Sequence, residues 1–168
     1  MIEIKFKIFT SFIEEDDNLK GEYGYFLVKI NNECYGEYRE DIDLDILSMN
    51  IYDWFSNFIQ AILLIKSNDK VYISDVETPE VWIKLVKSEE NLQISEVRAD
   101  KPEGSLSVEA DIELNEKSTV WESLINLQDF QKELILKVEQ YVAELKNLNT
   151  ENNELMKELE ILLEKIKR

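Results

Sequence analysis

The sequence predicts an α+β protein in which an antiparallel sheet of about six or seven strands packs against helices. Three observations support this fold class. Several segments have apolar residues at every second position, residues 43–66 have apolar residues at helical spacing, and the C-terminal region has a heptad pattern. Hydrophobic residues make up 44% of the 168 residues, which is enough for a folded core.

The N-terminal part of the chain has the pattern of three strands. Residues 2–8 alternate between apolar and polar, which is typical of a strand with one buried face. After an acidic stretch at residues 14–17, a second strand is predicted at 22–30 and a third at 34–38. Asn31-Asn32 between them tolerates the positive φ angles of a tight turn, so the pair is predicted to form a β-hairpin.

The segment 43–66 is predicted to form one helix packed on the sheet. Its apolar residues recur at helical spacing, and Ser67-Asn68-Asp69 provides a stop signal. Asp41 and Asp43 lie where an N-cap and a favourable contact with the helix dipole are expected.

Further strands are predicted at residues 71–73, 81–85, 92–94 and 106–114. The last has the clearest alternation in the chain, with an apolar face and an acidic face. Its apolar residues are Leu106, Val108, Ala110, Ile112 and Leu114, and its acidic residues are Glu109, Asp111 and Glu113. Such alternation favours an antiparallel sheet with one solvent-exposed face, because strands of parallel sheets are usually buried on both sides.

The chain is predicted to divide into an acidic α+β domain, residues 1–117, and a C-terminal helix with a heptad pattern, residues 118–168. Thr119-Val120-Trp121-Glu122 has the form of a capping box that would open this helix. The heptad seam consists of Leu134, Val138, Tyr141, Leu145, Leu148, Asn152, Leu155, Leu159, Leu162 and Ile166. The helix is predicted either to continue past Asn152 or to turn within residues 147–153 into an antiparallel helical hairpin, since the asparagines of that segment are good N-caps.

The heptad seam needs an apolar partner surface. Residues at the neighbouring e positions are mostly apolar as well, so the stripe is wider than that of a two-stranded coiled coil and suits a helix packed on a sheet or in a larger bundle. A homo-oligomer formed through the C-terminal helix is the other expectation. The candidate self-association residues are Leu145, Leu148, Asn152, Leu155, Leu159 and Leu162.

The formal charge is −17, from 36 acidic and 19 basic residues, and most of the excess lies before residue 118. Such a field disfavours direct binding to nucleic acid or to an anionic membrane and favours a basic protein partner. The candidate partner-binding residues are Glu14, Glu15, Asp16, Asp17, Trp82, Glu109, Asp111 and Glu113. For Trp82, an exposed interface position and burial beneath the C-terminal helix are both open.

No catalytic, cofactor or metal site is predicted. The chain has no histidine, its one cysteine, Cys34, has no activating partner, and four glycines form no phosphate-binding loop. Asp41-Ile42-Asp43-Leu44-Asp45 resembles the start of a calcium loop, but Ile46 and Tyr52 occupy the positions that need glycine and glutamate. The single cysteine, together with the lack of a signal peptide pattern or a long apolar run, predicts a cytoplasmic protein with no membrane association.

Gly24-Tyr25-Phe26, the strand hairpin and the Ile51-Tyr52-Asp53-Trp54-Phe55 helix resemble small acidic α+β proteins of Firmicutes, several of which are thought to be immunity proteins of polymorphic toxins. The resemblance covers residues 22–97 and transfers no functional residue. It implies a non-enzymatic, antitoxin-like inhibitor whose acidic surface covers a basic region of a toxin. Nucleic-acid mimicry, an assembly role of the C-terminal helix, and a metal-dependent hydrolase built on carboxylates are the alternatives.

Overall fold

The computed structural model describes residues 1–168 and contains nine strands and three α-helices. The strands are β1 (Ile2–Ile8), β2 (Tyr23–Ile30), β3 (Glu33–Glu37), β4 (Met49–Asn50), β5 (Lys70–Ser74), β6 (Val81–Ser88), β7 (Asn91–Ala99), β8 (Val108–Glu109) and β9 (Glu116–Asn126). The helices are α1 (Ile51–Ile65), α2 (Leu127–Leu148) and α3 (Glu154–Lys167). The α+β class and the antiparallel pairing are confirmed, but the strands divide between two sheets.

The first sheet has the order β1-β2-β3, with the short β4 also paired to β2. Its β2–β3 connection is the predicted hairpin, and Asn31 has the positive φ of 55° that the turn requires. The side-chain amide of Asn31 donates to the Ser123 hydroxyl at 2.7 Å and to the Leu124 carbonyl at 3.1 Å. The hairpin turn is therefore fastened to β9 of the second sheet.

The second sheet has the order β8-β5-β6-β7-β9, and all its strand pairs are antiparallel. One face of this sheet packs on α1 and contributes Val71, Ile73, Ile83, Leu85, Leu92 and Ile94 to the main core. The opposite face carries a small separate cluster made by Tyr72, Trp82, Val97 and Ala99. The sheet is therefore covered on both faces over part of its area.

Helix α1 lies at the centre of the molecule. Eleven of its fifteen residues are buried, and it contacts both sheets as well as α2 and α3. Phe55 is its aromatic centre, since its ring packs edge-on against Phe6 and Phe26 and at a tilt against Tyr141. These contacts join α1 to β1, β2 and α2 in one apolar core.

The predicted helix start at residue 43 is wrong, because α1 begins at Ile51. The Asn50 side chain is the N-cap and accepts a hydrogen bond from the Asp53 amide at 2.9 Å. Asp43 instead forms an ion pair with Lys7 at 2.7 Å. Residues 43–50 are drawn out of the helix by a 3-10 turn at Asp45–Leu47 and by the pairing of β4 with β2.

The predicted capping box at residues 119–122 is also wrong, because these residues lie inside β9. The true cap is Asn126, whose side chain accepts from the amides of Gln128 and Asp129 at 2.9 and 3.2 Å. The predicted boundary between residues 117 and 118 thus falls within a strand that pairs with β7 along its length.

The predicted strand at residues 106–114 is reduced to the two residues of β8. Ile112 and Leu114 leave the strand path because they pack against the Tyr72 and Trp82 cluster on the outer face of the second sheet. Burial of these two side chains against an existing apolar cluster outweighs extension of a short edge strand.

The C-terminal region forms the helical hairpin, which was the second of the two predicted arrangements. Asn149 ends α2 and Asn153 caps α3, accepting from the Met156 amide at 3.1 Å. Two ion pairs, Lys146 with Glu160 and Lys167 with Glu139, bridge the helices. The hairpin therefore satisfies much of the heptad seam within a single chain.

We expect Leu159→Ala to lower the free energy of unfolding by about 2–5 kcal/mol, because Leu159 is fully buried in the main core. The matched control is Ile161→Ala, two residues along α3, which removes an exposed side chain and should change stability by less than about 0.5 kcal/mol. Chemical denaturation measures both. A different result would contradict this. If the Leu159 variant kept the stability of the parent, and light scattering showed that the parent is an oligomer that dissociates on substitution, the heptad seam would join separate chains.

Candidate functional site

The predicted acidic residues Glu14, Glu15, Asp16 and Asp17 form an exposed loop between β1 and β2. The Glu14 amide donates to the Asp17 carboxylate at 2.9 Å, which folds the loop on itself. One carboxylate oxygen each from Glu14, Asp16 and Asp17 lies within 4.8 Å of the others. Exposed acidic groups cluster in this way without any ion, so the geometry is that of a charged surface.

The turn of the helical hairpin lies directly beside this loop. The Asn149 side chain forms two hydrogen bonds with the Lys20 backbone, accepting from its amide at 2.9 Å and donating to its carbonyl at 2.8 Å. The Asn153 side chain donates to the Asn18 carbonyl at 2.6 Å. Glu151 and Glu154 belong to this docked turn region, and the residues it binds, Asn18 and Lys20, follow the loop directly in the chain. We call the resulting surface the acidic end: it comprises Glu14, Glu15, Asp16, Asp17, Glu151 and Glu154.

No carboxylate of the acidic end is neutralised within the protein. The structure contains eleven ion-pair contacts, and none of them includes a residue of the acidic end. All six residues are exposed. The six carboxylates of the acidic end are therefore accessible to solvent and to any partner, without an ion pair inside the protein.

A second group of acidic residues, which was not predicted because its members are distant in sequence, lies around the N-terminus of α1. Burial raises the pKa of Asp53, and burial followed by the nearby Asp75 and Asp53 carboxylates raises the pKa of Glu77. Tyr23, which is half exposed, lies beside the same carboxylates. Burial is thus the largest cause of the raised pKa at both Asp53 and Glu77, and neighbouring carboxylates add to it at Glu77.

We expect Asp53→Asn to raise the melting temperature near pH 7. Burial raises the folded-state pKa of Asp53 because it disfavours the charged carboxylate. The stability of the folded protein is therefore highest, with respect to this group, below the unfolded-state pKa, and it falls as the pH rises through the folded-state pKa. Asparagine has no charge and avoids this loss at neutral pH. Thermal melts at about pH 7 and about pH 3 test this, since the difference from the parent protein should vanish at the lower pH. Glu103→Gln, at an exposed carboxylate, is the control. A lower melting temperature of the Asp53 variant at neutral pH would contradict the argument.

Two buried carboxylates hold strands together, and both have hydrogen-bond partners within the protein. Asp75 is 6% exposed and accepts hydrogen bonds from the Tyr35 hydroxyl and from the amides of Glu77 and Thr78. Burial, and then the Asp75 carboxylate, raise the pKa of Tyr35 far above its ordinary value.

Glu96 is the second of these carboxylates. It pairs with Arg98 at 3.2 Å and accepts from the Trp121 indole at 2.9 Å. Because protein groups are the partners of Asp75 and Glu96, both carboxylates have a structural role: Asp75 links β3 to the segment after β5, and Glu96 links β7 to β9.

The interface prediction for Trp82 is wrong, since its side chain is fully buried. It is not beneath the C-terminal helix either. The ring lies on the outer face of the second sheet, edge-on to Tyr72 at 6.0 Å and packed with Val97 and Ala99. Its indole N–H donates to the Ala99 carbonyl at 3.2 Å, and the Lys101 ammonium lies 5.7 Å from the ring centre.

The other predicted acidic residues do not share one face. Glu109 accepts a hydrogen bond from the Leu106 amide at 2.6 Å and so stabilises its own turn. Glu113 is exposed and forms a long contact with Lys70 at 3.4 Å, whereas Asp111 is exposed and has no ion-pair partner. The acidic face predicted for residues 106–114 is not formed, because this segment is not a continuous strand.

The predicted self-association leucines lie against the core of their own chain. Leu145 and Leu159 are fully buried, and Leu148, Leu155 and Leu162 are partly buried and pack against the same core. Asn152 is exposed at the hairpin turn and does not contribute to an apolar seam.

The fold and the surface together define a small α+β protein whose two sheets and helical hairpin share one core and whose hairpin turn carries an unpaired acidic end. No family model, curated protein or solved structure matches the chain. None of the three helices has both the length and the apolar composition needed to cross a bilayer.

Proposed function

We propose that this protein is a non-enzymatic, cytoplasmic protein-binding module, of the immunity or antitoxin type, that uses its acidic end against a basic partner. The observation that carries the proposal is the set of six exposed carboxylates without any intrachain cation. In the rest of the molecule, several carboxylates are matched by lysine or arginine, as in the pairs Lys84 with Glu116 and Lys117 with Asp100.

The physical reason is electrostatic. Like charges held close on a surface repel one another, and a cationic partner relieves this repulsion when it binds. The field of such a surface also accelerates encounter with a basic protein, and this contribution falls as salt is added. The acidic end is fixed to the core through Asn149 and Asn153, so binding there requires little ordering of the loop.

The position of the acidic end also suits this role. The loop and the hairpin turn come from opposite ends of the chain, and the Asn149 and Asn153 side chains of the turn are hydrogen-bonded to the backbone of Lys20 and Asn18, just after the loop. A partner that contacts both segments would therefore bind only the folded protein. Such binding is expected of an inhibitor whose contact surface exists only when the inhibitor is folded.

Titration of a dodecalysine peptide, monitored by fluorescence anisotropy, tests the proposal. The acidic-end variant Glu14→Gln, Glu15→Gln, Asp16→Asn, Asp17→Asn is compared with a control variant that removes four exposed carboxylates elsewhere, Glu90→Gln, Glu103→Gln, Asp111→Asn and Glu122→Gln. We expect the acidic-end variant to bind at least about fivefold more weakly than the parent, a loss of about 1 kcal/mol. The control should stay within about twofold of the parent.

Raising the salt from about 50 to about 200 mM should weaken binding of the parent protein and reduce the difference between the variants. Equal losses in the two variants would contradict the proposal, because they would mean that only net charge matters. Binding insensitive to salt would contradict it as well.

A further inference from the structure

Three apolar side chains are exposed on the outer side of the first sheet, close in sequence to unpaired acids. Phe12 is 50% exposed, Ile42 is 52% exposed and Ile46 is 90% exposed. Phe12 ends the 3-10 turn that follows β1, while Ile42 and Ile46 belong to the segment between β3 and β4. Exposure of three large apolar residues on two neighbouring segments is a property of contact surfaces.

The two segments are held on the same side of β2 by buried aromatic rings. The Tyr25 hydroxyl donates to the Ile42 carbonyl at 2.7 Å and accepts from the Leu44 amide at 2.9 Å. The Tyr25 ring packs edge-on against Phe9, with ring centres 4.6 Å apart, and Phe9 packs against Phe12 at 5.8 Å. A continuous path of contacts thus runs from Ile42 to Phe12.

The segment between β3 and β4 is also fixed by charge. The Lys7 ammonium donates to the Glu40 carbonyl at 2.8 Å and pairs with the Asp43 carboxylate at 2.7 Å. The 3-10 turn at Asp45–Leu47 then closes the segment. Ile42 and Ile46 are therefore held outward by an anchored backbone, and exposure of Ile46 is not the result of a free chain end.

The charges around these side chains identify the kind of partner. Asp41 and Asp45 are exposed and form no ion pair, and each directly precedes one of the two isoleucines, Ile42 and Ile46. The loop of the acidic end begins two residues after Phe12. A second copy of the same surface would place like charges against one another, which costs binding energy, whereas lysine and arginine side chains would complement them.

We infer that Phe12, Ile42 and Ile46 are the apolar contact residues for a basic, amphipathic segment of the partner. The apolar side of that segment covers the three side chains, and its cationic side chains meet Asp41, Asp45 and the loop of the acidic end. This inference rests on the proposed function and adds an apolar component to it. It follows the usual arrangement of interfaces, in which an apolar centre is surrounded by a charged rim.

Two synthetic peptides with the same number of lysines test the inference: an amphipathic leucine-lysine helix and an oligolysine. The parent protein should bind the leucine-lysine peptide at least about tenfold more tightly than oligolysine. The double variant Ile42→Ser, Ile46→Ser should lose most of this difference while its affinity for oligolysine changes by less than about twofold. Adding Phe12→Ser should remove the remainder, and the double variant alone decides the test if the triple variant does not fold.

The control is Leu106→Ser, Leu136→Ser, Ile161→Ser, which removes three exposed apolar side chains from other surfaces. It should keep the preference for the leucine-lysine peptide. Equal binding of the two peptides to the parent protein, or an equal loss in the control, overturns the inference and leaves the proposed function standing. Failure of both peptides to bind the parent protein overturns the proposed function, and this inference with it.

Discussion

Trp82→Ala should lower the free energy of unfolding by about 3–5 kcal/mol. The substitution removes a fully buried indole from the small cluster on the outer face of the second sheet and leaves a cavity beside Tyr72 and Val97. It also removes the partner of the Ala99 carbonyl and the ring beneath the Lys101 ammonium. Because Ile112 and Leu114 cover this cluster, the segment that carries them loses its apolar support as well.

Urea denaturation followed by circular dichroism measures this loss. Leu124→Ala is the matched control, since Leu124 lies on β9 in the same sheet but is 55% exposed, and its removal should cost less than about 0.5 kcal/mol. If the Trp82 variant kept the stability of the parent and lost only affinity for a partner, the side chain would be an interface residue after all.

The elements predicted correctly are those whose pattern is local. Strand β1, the β2–β3 hairpin and strands β5 to β7 each have an apolar period of two with turn residues at their ends, and the structure contains all of them. The existence of α1 was predicted by the same argument. Its start was not, because the boundary depends on the pairing of β4 with β2 and on the Tyr25 hydroxyl, which are contacts distant in sequence.

Strand β9 shows how a local motif can mislead. The four residues at 119–122 satisfy a capping box, but they are preceded and followed by residues that pair with β7 in a long ladder. The ladder pairs nine of the eleven residues of β9 with β7, whereas a capping box satisfies two amides. Only the tertiary partner decides between these outcomes, and a single sequence does not display it.

The candidate site was predicted in part. The exposure of the loop at residues 14–17 follows from its four consecutive acids. The docking of the hairpin turn that carries Glu151 depends on hydrogen bonds from Asn149 and Asn153 to Lys20 and Asn18, which are contacts distant in sequence. The exposure of Ile46 in a 3-10 turn was not predicted, because residues 43–66 were assigned to one continuous helix. For Trp82, the alternation with Val81 and Ile83 is consistent with the opposite face of the sheet, but the sequence did not indicate that Tyr72, Val97 and Ala99 cover it there.

Gly24→Ala should destabilise the protein by about 4 kcal/mol or more, the range reached when a substitution forces a clash in the core of the fold. A methyl group at this position would lie 1.9 Å from the Lys7 carbonyl oxygen and 3.0 Å from the Ile51 side chain. Gly24 is the residue of β2 that pairs with Ile8 of β1 and with Met49 of β4. The neighbouring backbone must move, so the substitution weakens the pairing of three strands at once.

Gly104→Ala separates this steric effect from the conformational freedom of glycine. Gly104 has a positive φ of 78° and nothing within 4 Å of the added methyl group, so its substitution should cost only the left-handed penalty of about 1 kcal/mol. Denaturant titrations of the two variants give the comparison. Similar losses would mean that β1 can shift away from β2 without cost, whereas the larger loss expected at Gly24 identifies close approach of strands β1 and β2 as the reason for glycine there.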